Sequence, residues 1–208
     1  MIEIKDTEGE VIYAGDFDDM KECVEQAVKD GVSLRGANLA RHDLQYAYLQ
    51  GANLQGASLQ GTNLRDSYLV GVNLHRANLQ AANLQCAILE EANLQYADLK
   101  KANLQDANLQ GANLREAELE EANLQDVNLH DCIGNMREIK SMQIEQYVLA
   151  YTSKHLQIGC KRRELEEWWN LSDEEIDAMH SKALVFWHKW RDTIRNIIEM
   201  SPATGEKS

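Results

Sequence analysis

A β-solenoid is the fold that this sequence predicts, and three features predict it. From Val32 to Asp131 a leucine returns at every fifth residue, from Leu34, Leu39 and Leu44 to Leu119, Leu124 and Leu129, with no slip of register. Two residues before each leucine stands a small residue, usually alanine, as at Ala37, Ala52, Ala77, Ala97 and Ala117. Between the two lies mostly asparagine, so that the unit reads A-N-L-x-x. A period of five matches neither the helical period of about 3.6 nor the strand period of about 2. A short period held this long means repeats that contact only their neighbours. Two inward positions in five suit a chain that turns a corner in every repeat. Leucine then fills the axis, and alanine lies where the walls approach.

Tandem A-N-L-x-x resembles the pentapeptide-repeat family, over residues 32–131. The resemblance implies a right-handed, four-sided β-helix with four repeats per coil. Residues twenty apart in sequence then stack in columns about 4.8 Å from coil to coil, and the leucines make about five coils in a rod about 24 Å long. Asn53, Asn73, Asn93 and Asn113 form one column, and Asn63, Asn83, Asn103 and Asn123 another; such amides can bond along the axis. Lys100 falls over Glu120 and Lys101 over Glu121, opposite charges in register.

Before the solenoid, residues 1–31 read as a hairpin and a helix. Ile2 and Ile4 alternate, then Val11 and Tyr13, around a turn at Glu8 and Gly9. A helix follows from Asp18 to Lys29, with Met20, Cys23, Val24, Ala27 and Val28 on or beside one face. Asp18 is placed to cap its start and Gly31 to end it. A bare first coil would expose leucines and unpaired strand edges, and these elements are expected to cover it.

After the solenoid, residues 132–208 read as a separate α+β, mainly helical cap domain. Cys132 takes the small position once more, but Gly134 stands where the next leucine belongs, so the solenoid is expected to stop near Asp131. Met142–Tyr151 and Leu156–Cys160 read as two short strands. A short helix at Arg163–Trp169 carries Trp168 and Trp169. Ser172, followed by Asp173, Glu174 and Glu175, is an N-terminal helix signature. Helical spacing then runs from Ile176 to Met200, with a break expected near His180–Ser181. The tail from Ser201 is expected to be disordered. All four tryptophans lie here, placed either to core the domain or to anchor a partner.

Composition narrows the function. The 208 residues carry a net charge of -13, which argues against direct binding of nucleic acid. No apolar run has transmembrane length, and MIEIKDTEGE has no signal-peptide core, so a cytoplasmic protein is expected. The four cysteines have no C-x-x-C spacing, which suits reduced thiols and no zinc site. No phosphate loop, H-E-x-x-H or G-x-S-x-G occurs, and no cofactor is expected. His155 and Cys160 are close in sequence without an orienting third group. His180 and His188 are two helical turns apart, too far to share a metal. His42, at an inward position, reads as a buried histidine or a local distortion. Lys161–Arg163 reads as a solvated helix start. The expectation is a protein without enzymatic activity.

Two functional readings stay open. In the first, the rod is a protein-interaction module or scaffold. Tyr48, Tyr68 and Ile88, with Val70 beside them, form an outward apolar strip where other columns hold asparagine. The strip serves either a terminal segment of the same chain or a partner, a homodimer included. Trp187, Trp190 and Ile194 are the candidate docking residues of the C-terminal domain. The second reading comes from the resemblance. Qnr-type quinolone-resistance proteins of this family mimic DNA and bind DNA gyrase, a type II topoisomerase, which would suit a bacterial or phage protein. Glu90, Glu91, Asp106, Glu120, Glu121 and Asp126 would then form the acidic surface. The first half of the rod is not acidic, and the loops that interrupt Qnr-type solenoids are missing.

Overall fold

The computed structural model describes residues 1–204. Its centre is a rod of five twenty-residue coils, from Leu34 to Ile133, joined by parallel bridges between residues twenty apart, such as Asn53↔Asn73 and Asn93↔Asn113. Each pentapeptide closes its own corner. The amide of Ala52 donates to the carbonyl of Leu49 at 3.1 Å, and the same turn recurs in register along the chain. The third residue of each turn has positive φ, as in Gly51 (66°) and Gly56 (66°), but also Tyr46 (61°), Ala81 (55°) and Lys101 (60°). This is the type II geometry that favours glycine. Between corners the coils exchange main-chain bonds. Leu54 donates upward to Asn73 at 2.8 Å, and Asn73 donates downward to Ala52 at 2.9 Å. The leucines from Leu34 to Leu129 are buried in one continuous core with the alanines.

Asparagine does two things at once. Its Nδ2 donates to the asparagine one coil below, as in Asn83 to Asn63 (3.2 Å), Asn103 to Asn83 (3.3 Å) and Asn123 to Asn103 (3.0 Å). Its Oδ1 accepts the backbone N–H two residues on, as in Gln85 to Asn83 (3.3 Å), which meets a donor at the corner. Both expected columns carry amide bonds, the other through Asn73 to Asn53 (3.5 Å) and Asn93 to Asn73 (3.4 Å). Thr62 and Ser67 replace alanine without stranding a hydroxyl: they donate to the carbonyls of Leu39 and Leu64 at 2.7 and 2.6 Å.

At the first coil, β1 (Ile2–Lys5) and β2 (Val11–Gly15) form an antiparallel hairpin, followed by α1 (Met20–Lys29). The cap of α1 is Asp19, not Asp18: its side chain accepts from Glu22 N at 2.8 Å. Asn38 N donates to Lys5 O at 2.7 Å, and Thr7 N to Gly36 O at 3.1 Å. Ile4, Cys23, Val24 and Ala27 are fully buried in the same core as Leu34. His42 is only half-buried, beside Asp19, Met20 and Tyr46, and so is not the buried histidine that its inward position suggests.

The solenoid runs to Ile133 rather than Asp131. Ile133 still bridges Asn113 and accepts from Leu114 N at 2.8 Å. A Cβ at Gly134 would collide with the carbonyl of Ile139, and Ile139 itself is buried in the solenoid core. Asn135 Nδ2 donates to Ala117 O at 3.0 Å, taking the place of the next coil's amide.

Beyond it, β3 (Lys140–Ile144), β4 (Tyr147–Tyr151), β5 (His155–Ile158) and β6 (Lys161–Glu164) form a four-stranded antiparallel sheet in sequence order. Two expectations change here. Met142–Tyr151 is not one strand but part of a hairpin, because Glu145, with φ 53°, turns the chain. Lys161–Arg163 is not a helix start but the edge strand β6, and the helix after it, α2, spans Leu165–Asn170. Ser172 caps α3 (Asp173–Asp177), accepting from Glu175 N at 3.3 Å while Ser172 N donates to Glu175 at 2.9 Å. The chain breaks and resumes as α4 (Ala183–Met200). A second core forms between sheet and helices from Leu149, Leu156, Trp168, Trp169, Trp187 and their neighbours.

The tail is ordered as far as it is described. Tyr151 OH donates to Ser201 O at 2.9 Å, Thr204 N to Arg137 O at 3.0 Å, and Ala203 is buried. The rest of the expected disordered tail, residues 205–208, lies outside the described residues. Among the described residues, no helix is long and apolar enough to cross a membrane.

Candidate interaction surface

Tyr48 and Tyr68 lie one above the other on an outer face of the rod. Their rings are parallel within 9°, with centroids 4.9 Å apart, and both are exposed, at 58% and 37%. The stack follows from register: the two residues bridge each other twenty positions apart, and Tyr68 bridges Ile88 in turn. Val70 is half-buried. The amide of Tyr48 has no coil beneath it, and Glu25 of α1 accepts from it at 2.9 Å. Above Ile88 the column returns to asparagine. Asn128 Nδ2 donates to Asn108 at 2.8 Å, whereas Asn108, with an isoleucine beneath it, donates to Glu90 at 2.6 Å. The apolar strip is thus a bounded interruption of an amide ladder.

The acidic candidates lie along the upper coils, and several are already engaged. Arg162 Nη1 meets Asp126 Oδ1 at 3.0 Å, and Arg137 meets Glu120 at 3.5 Å. The hydrogen bond from Arg162 holds the Asp126 carboxyl below its ordinary range, against an upward push from burial. Lys100 does not pair with Glu120 as register alone suggests. Its Nζ reaches Glu118 at 2.6 Å, and Glu118 holds its pKa up. Glu91 and Asp106 are exposed corner residues with φ of 56° and 58°. Glu121 is exposed at a third corner, with φ 63°. Asp66, Asp106 and Asp126 share one corner column, with Cys86 between the first two. Burial, then the neighbouring Asp66 and Asp106, push the Cys86 thiol up.

The C-terminal candidates divide. Trp187 and Ile194 are buried, at 2% and 0% exposure, in the chain's own second core, so neither is offered to a partner in this fold. Trp187 stacks on Trp169 with centroids 5.8 Å apart. Trp190 is half-buried, with Lys189 Nζ 5.1 Å from its ring. Helical spacing marks all three as one apolar face, and it could not tell a core face from a docking face.

His180 and His188 take separate partners: Tyr147 OH lies 3.4 Å from His180 Nδ1, and His188 Nε2 lies 2.8 Å from Asp173. Among the described residues, no group of three histidine, cysteine or acidic side chains could hold a metal ion.

Two features escaped sequence reasoning. Tyr96 takes the Arg76 guanidinium 5.5 Å over its ring and His75 edge-on at 5.6 Å. The twenty-residue column rule, which puts 96 over 76, was signal enough. The second is a cavity in the C-terminal core, which no sequence pattern marks because its lining comes from several elements.

Comparison with known proteins bears on this geometry. The chain resembles a pentapeptide-repeat protein of the Arabidopsis thaliana thylakoid lumen, at 26% identity over 46% of this chain and 66% of that one (TM-score 0.45). It resembles another from the cyanobacterium Cyanothece 51142, at 40% identity over 45% and 61% (TM-score 0.42). It also resembles QnrB1, a plasmid-mediated fluoroquinolone resistance protein, at 16% identity over 46% and 59% (TM-score 0.34). The chain spans less than two thirds of the length of each of these proteins. No curated protein matches it. A family model described as pentapeptide repeats (8 copies) matches residues 30–66, 57–95, 73–111 and 102–133, together half of the chain. The chain therefore belongs to the pentapeptide-repeat family, whose members are right-handed β-helix solenoids.

Proposed function

We propose that this protein is a non-enzymatic interaction module, a rigid rod that binds a protein partner, or a second copy of itself, through the face carrying Tyr48, Tyr68, Val70 and Ile88. The observation that carries this reading is the exposed Tyr48–Tyr68 stack, set where neighbouring columns hold asparagine. Asparagine at these positions contributes rungs to the ladder and tyrosine does not, so the strip gives up ladder bonds for an apolar surface. Flat, rigid aromatic rings suit binding because little side-chain freedom is lost on contact. The hairpin with α1 and the C-terminal sheet act as end caps that shield the first and last coils. A cytoplasmic setting is part of the same reading.

The test is a triple variant, Tyr48→Asn, Tyr68→Asn and Ile88→Asn, which extends the ladder and keeps the coils. Sedimentation of the purified protein, and capture of partners from nuclease-treated bacterial lysate at low and high salt, should both show association lost in the variant. Association unchanged by all three substitutions would remove the strip from the account.

A second reading is favoured by the acidic corner column of Asp66, Asp106 and Asp126, with Glu120 and Glu121 on the coil of Asp126 and Glu90 and Glu91 on the coil between those of Asp66 and Asp106. There the rod would imitate DNA and enter the basic groove of DNA gyrase or another DNA-binding enzyme. Such a complex should weaken steeply as salt rises. The ion pairs of Asp126 and Glu120 with the chain's own arginines reduce the free negative charge and favour the first reading.

A further inference from the structure

The C-terminal module holds a cavity of about 120 Å³. Tyr147, Ile158, Trp168, Phe186 and Trp187 supply apolar walls. Cys160, Lys161 and His180 also line it and are exposed, which sets its mouth between the turn into β6 and the break before α4.

The walls are pinned. Trp168 Nε1 donates to Leu156 O at 2.6 Å, and the Trp168 and Trp187 rings lie 5.4 Å apart. Tyr147 packs edge-on against Phe186 at 4.5 Å. Rings held this way do not collapse into the space. Protein interiors are ordinarily filled, and an unfilled cavity lowers stability. A preformed apolar pocket with a few polar groups at its rim is the usual form of a small-molecule site.

Walls and rim select different parts of a ligand. A charge between the apolar walls would be desolvated without a counter-charge, so the interior takes only an apolar group. An apolar cavity of about 150 Å³ holds one benzene-sized ring, so this one takes a tail of about five carbons. The rim is cationic. Among the described residues that line the cavity, Lys161 is the only one with a fixed charge, and none is a carboxylate. Arg162 pairs with Asp126 and Lys189 with Glu145, whereas Lys161 makes no ion pair among the described residues. A lysine at such a place lays its stem on apolar surface and keeps its ammonium in water. His180 adds a donor. Lys182 N donates to its Nδ1 at 3.3 Å, which puts the proton of the neutral ring on Nε2.

We propose that this cavity binds the tail of a short aliphatic carboxylate, whose head stays at the mouth and pairs with Lys161. The site is independent of the solenoid faces and goes beyond the interaction role. The walls supply the affinity for the tail, and the rim supplies the choice of an anionic head.

Hexanoate, 1-hexanol and hexylammonium have tails of nearly the same size and differ in head charge, so they separate the rim from the walls. The experiment uses the full chain with its indole nitrogens labelled, near neutral pH and at low salt. Titration with hexanoate should shift the Trp168 and Trp187 indole signals saturably, since both rings form the walls. Hexanoate should bind about threefold to fivefold tighter than 1-hexanol, the worth of one exposed ion pair, and hexylammonium should bind most weakly. Lys161→Gln, an exposed change on an edge strand, should bring hexanoate to the affinity of 1-hexanol and leave 1-hexanol unmoved. Ala183→Leu, which puts bulk into the wall, should abolish all three. Absence of a saturable shift with any of the three up to its solubility would overturn the site. A hexanoate affinity no better than that of 1-hexanol, or a preference that survives Lys161→Gln, would overturn the choice of a carboxylate. If Ala183→Leu does not fold, the Lys161→Gln comparison decides.

Discussion

Arg162 Nη1 meets Asp126 Oδ1 at 3.0 Å and so joins the edge strand β6 to a corner of the last coil. The arginine side chain is mostly buried, at 17% exposure, while the aspartate is half exposed, at 52%. The hydrogen bond from Arg162 lowers the Asp126 pKa below its unfolded value. Its stabilising contribution is therefore complete above the unfolded carboxylate range, from about pH 5 upward, and is lost as pH falls through about 4 and below. Asp126→Asn should lower stability at neutral pH by about 1 kcal/mol, a figure discounted for the exposure of the carboxylate. The difference between the two proteins should shrink as pH falls through the carboxylate range toward 3. Urea unfolding at both pH values checks this, and equal stability at neutral pH would show that the contact is incidental.

Corner residues carry backbone strain that the repeat tolerates. Ala81 has φ 55° in a position that Gly51, Gly56 and Gly71 fill elsewhere. A left-handed non-glycine residue costs about 1–2 kcal/mol, and glycine returns about 0.4–1 kcal/mol of that through the greater freedom of its unfolded chain. Ala81→Gly should therefore stabilise the protein, by about 0.5–1 kcal/mol, where the same change inside a helix or strand would destabilise it. A lowered denaturation midpoint would show that the corner is relaxed with alanine in place.

The solenoid was legible because its register is rigid. Once residues twenty apart are neighbours, the Asn63–Asn83–Asn103–Asn123 ladder and the Tyr48–Tyr68 stack follow from counting. Counting gave neighbours but not side-chain direction, which is why Lys100 goes to Glu118 rather than Glu120. The C-terminal region was less legible because its strands are short and their register depends on pairing with the neighbouring strand rather than on a repeating pattern. Lys161–Glu164 reads as charged and helical, and it becomes a strand because His155–Ile158 offers an edge to pair with. The candidate strip was readable as a break in a pattern. The candidate docking residues were not separable from core, since Trp187 and Ile194 sit on an apolar helix face whose partner is the chain's own sheet.

The four thiols differ in access. Cys23 and Cys132 are buried, and burial pushes the Cys132 thiol up to about 12. Cys86 is half-buried and also shifted upward, by burial and by its acidic neighbours, while Cys160 is exposed at the mouth of the C-terminal cavity. An aromatic disulfide reagent at pH 8 should label Cys160 first and Cys86 more slowly. Cys23 and Cys132 should react only on unfolding, because the thiolate is the reactive form. Labelling of more than two thiols in the native protein would contradict the burial of the cores.

The last leucine amide of the solenoid is met by one side chain of the C-terminal sheet. Lower leucine amides donate to the coil above, as Leu109 N does to Asn128 O at 2.9 Å. Leu129 has no coil above it. Its N–H donates instead to Gln157 Oε1 at 2.8 Å, and Gln157 Nε2 donates to Asn128 Oδ1 at 2.9 Å and to Gly159 O at 3.1 Å. Gln157, 3% exposed on β5, thus stands in for the missing strand. Gln157→Leu keeps the bulk and removes every partner, leaving a buried N–H unpaired at a cost of about 1–3 kcal/mol. Global unfolding alone would not place that loss, so the readout is amide exchange. The Leu129 amide should exchange much faster in Gln157→Leu relative to the Leu109 amide in the same molecule, because the defect opens the last coil before the ones beneath it. If Leu129 keeps its protection in the variant, water or a shifted strand satisfies that amide, and the last coil does not depend on the C-terminal sheet for its closure.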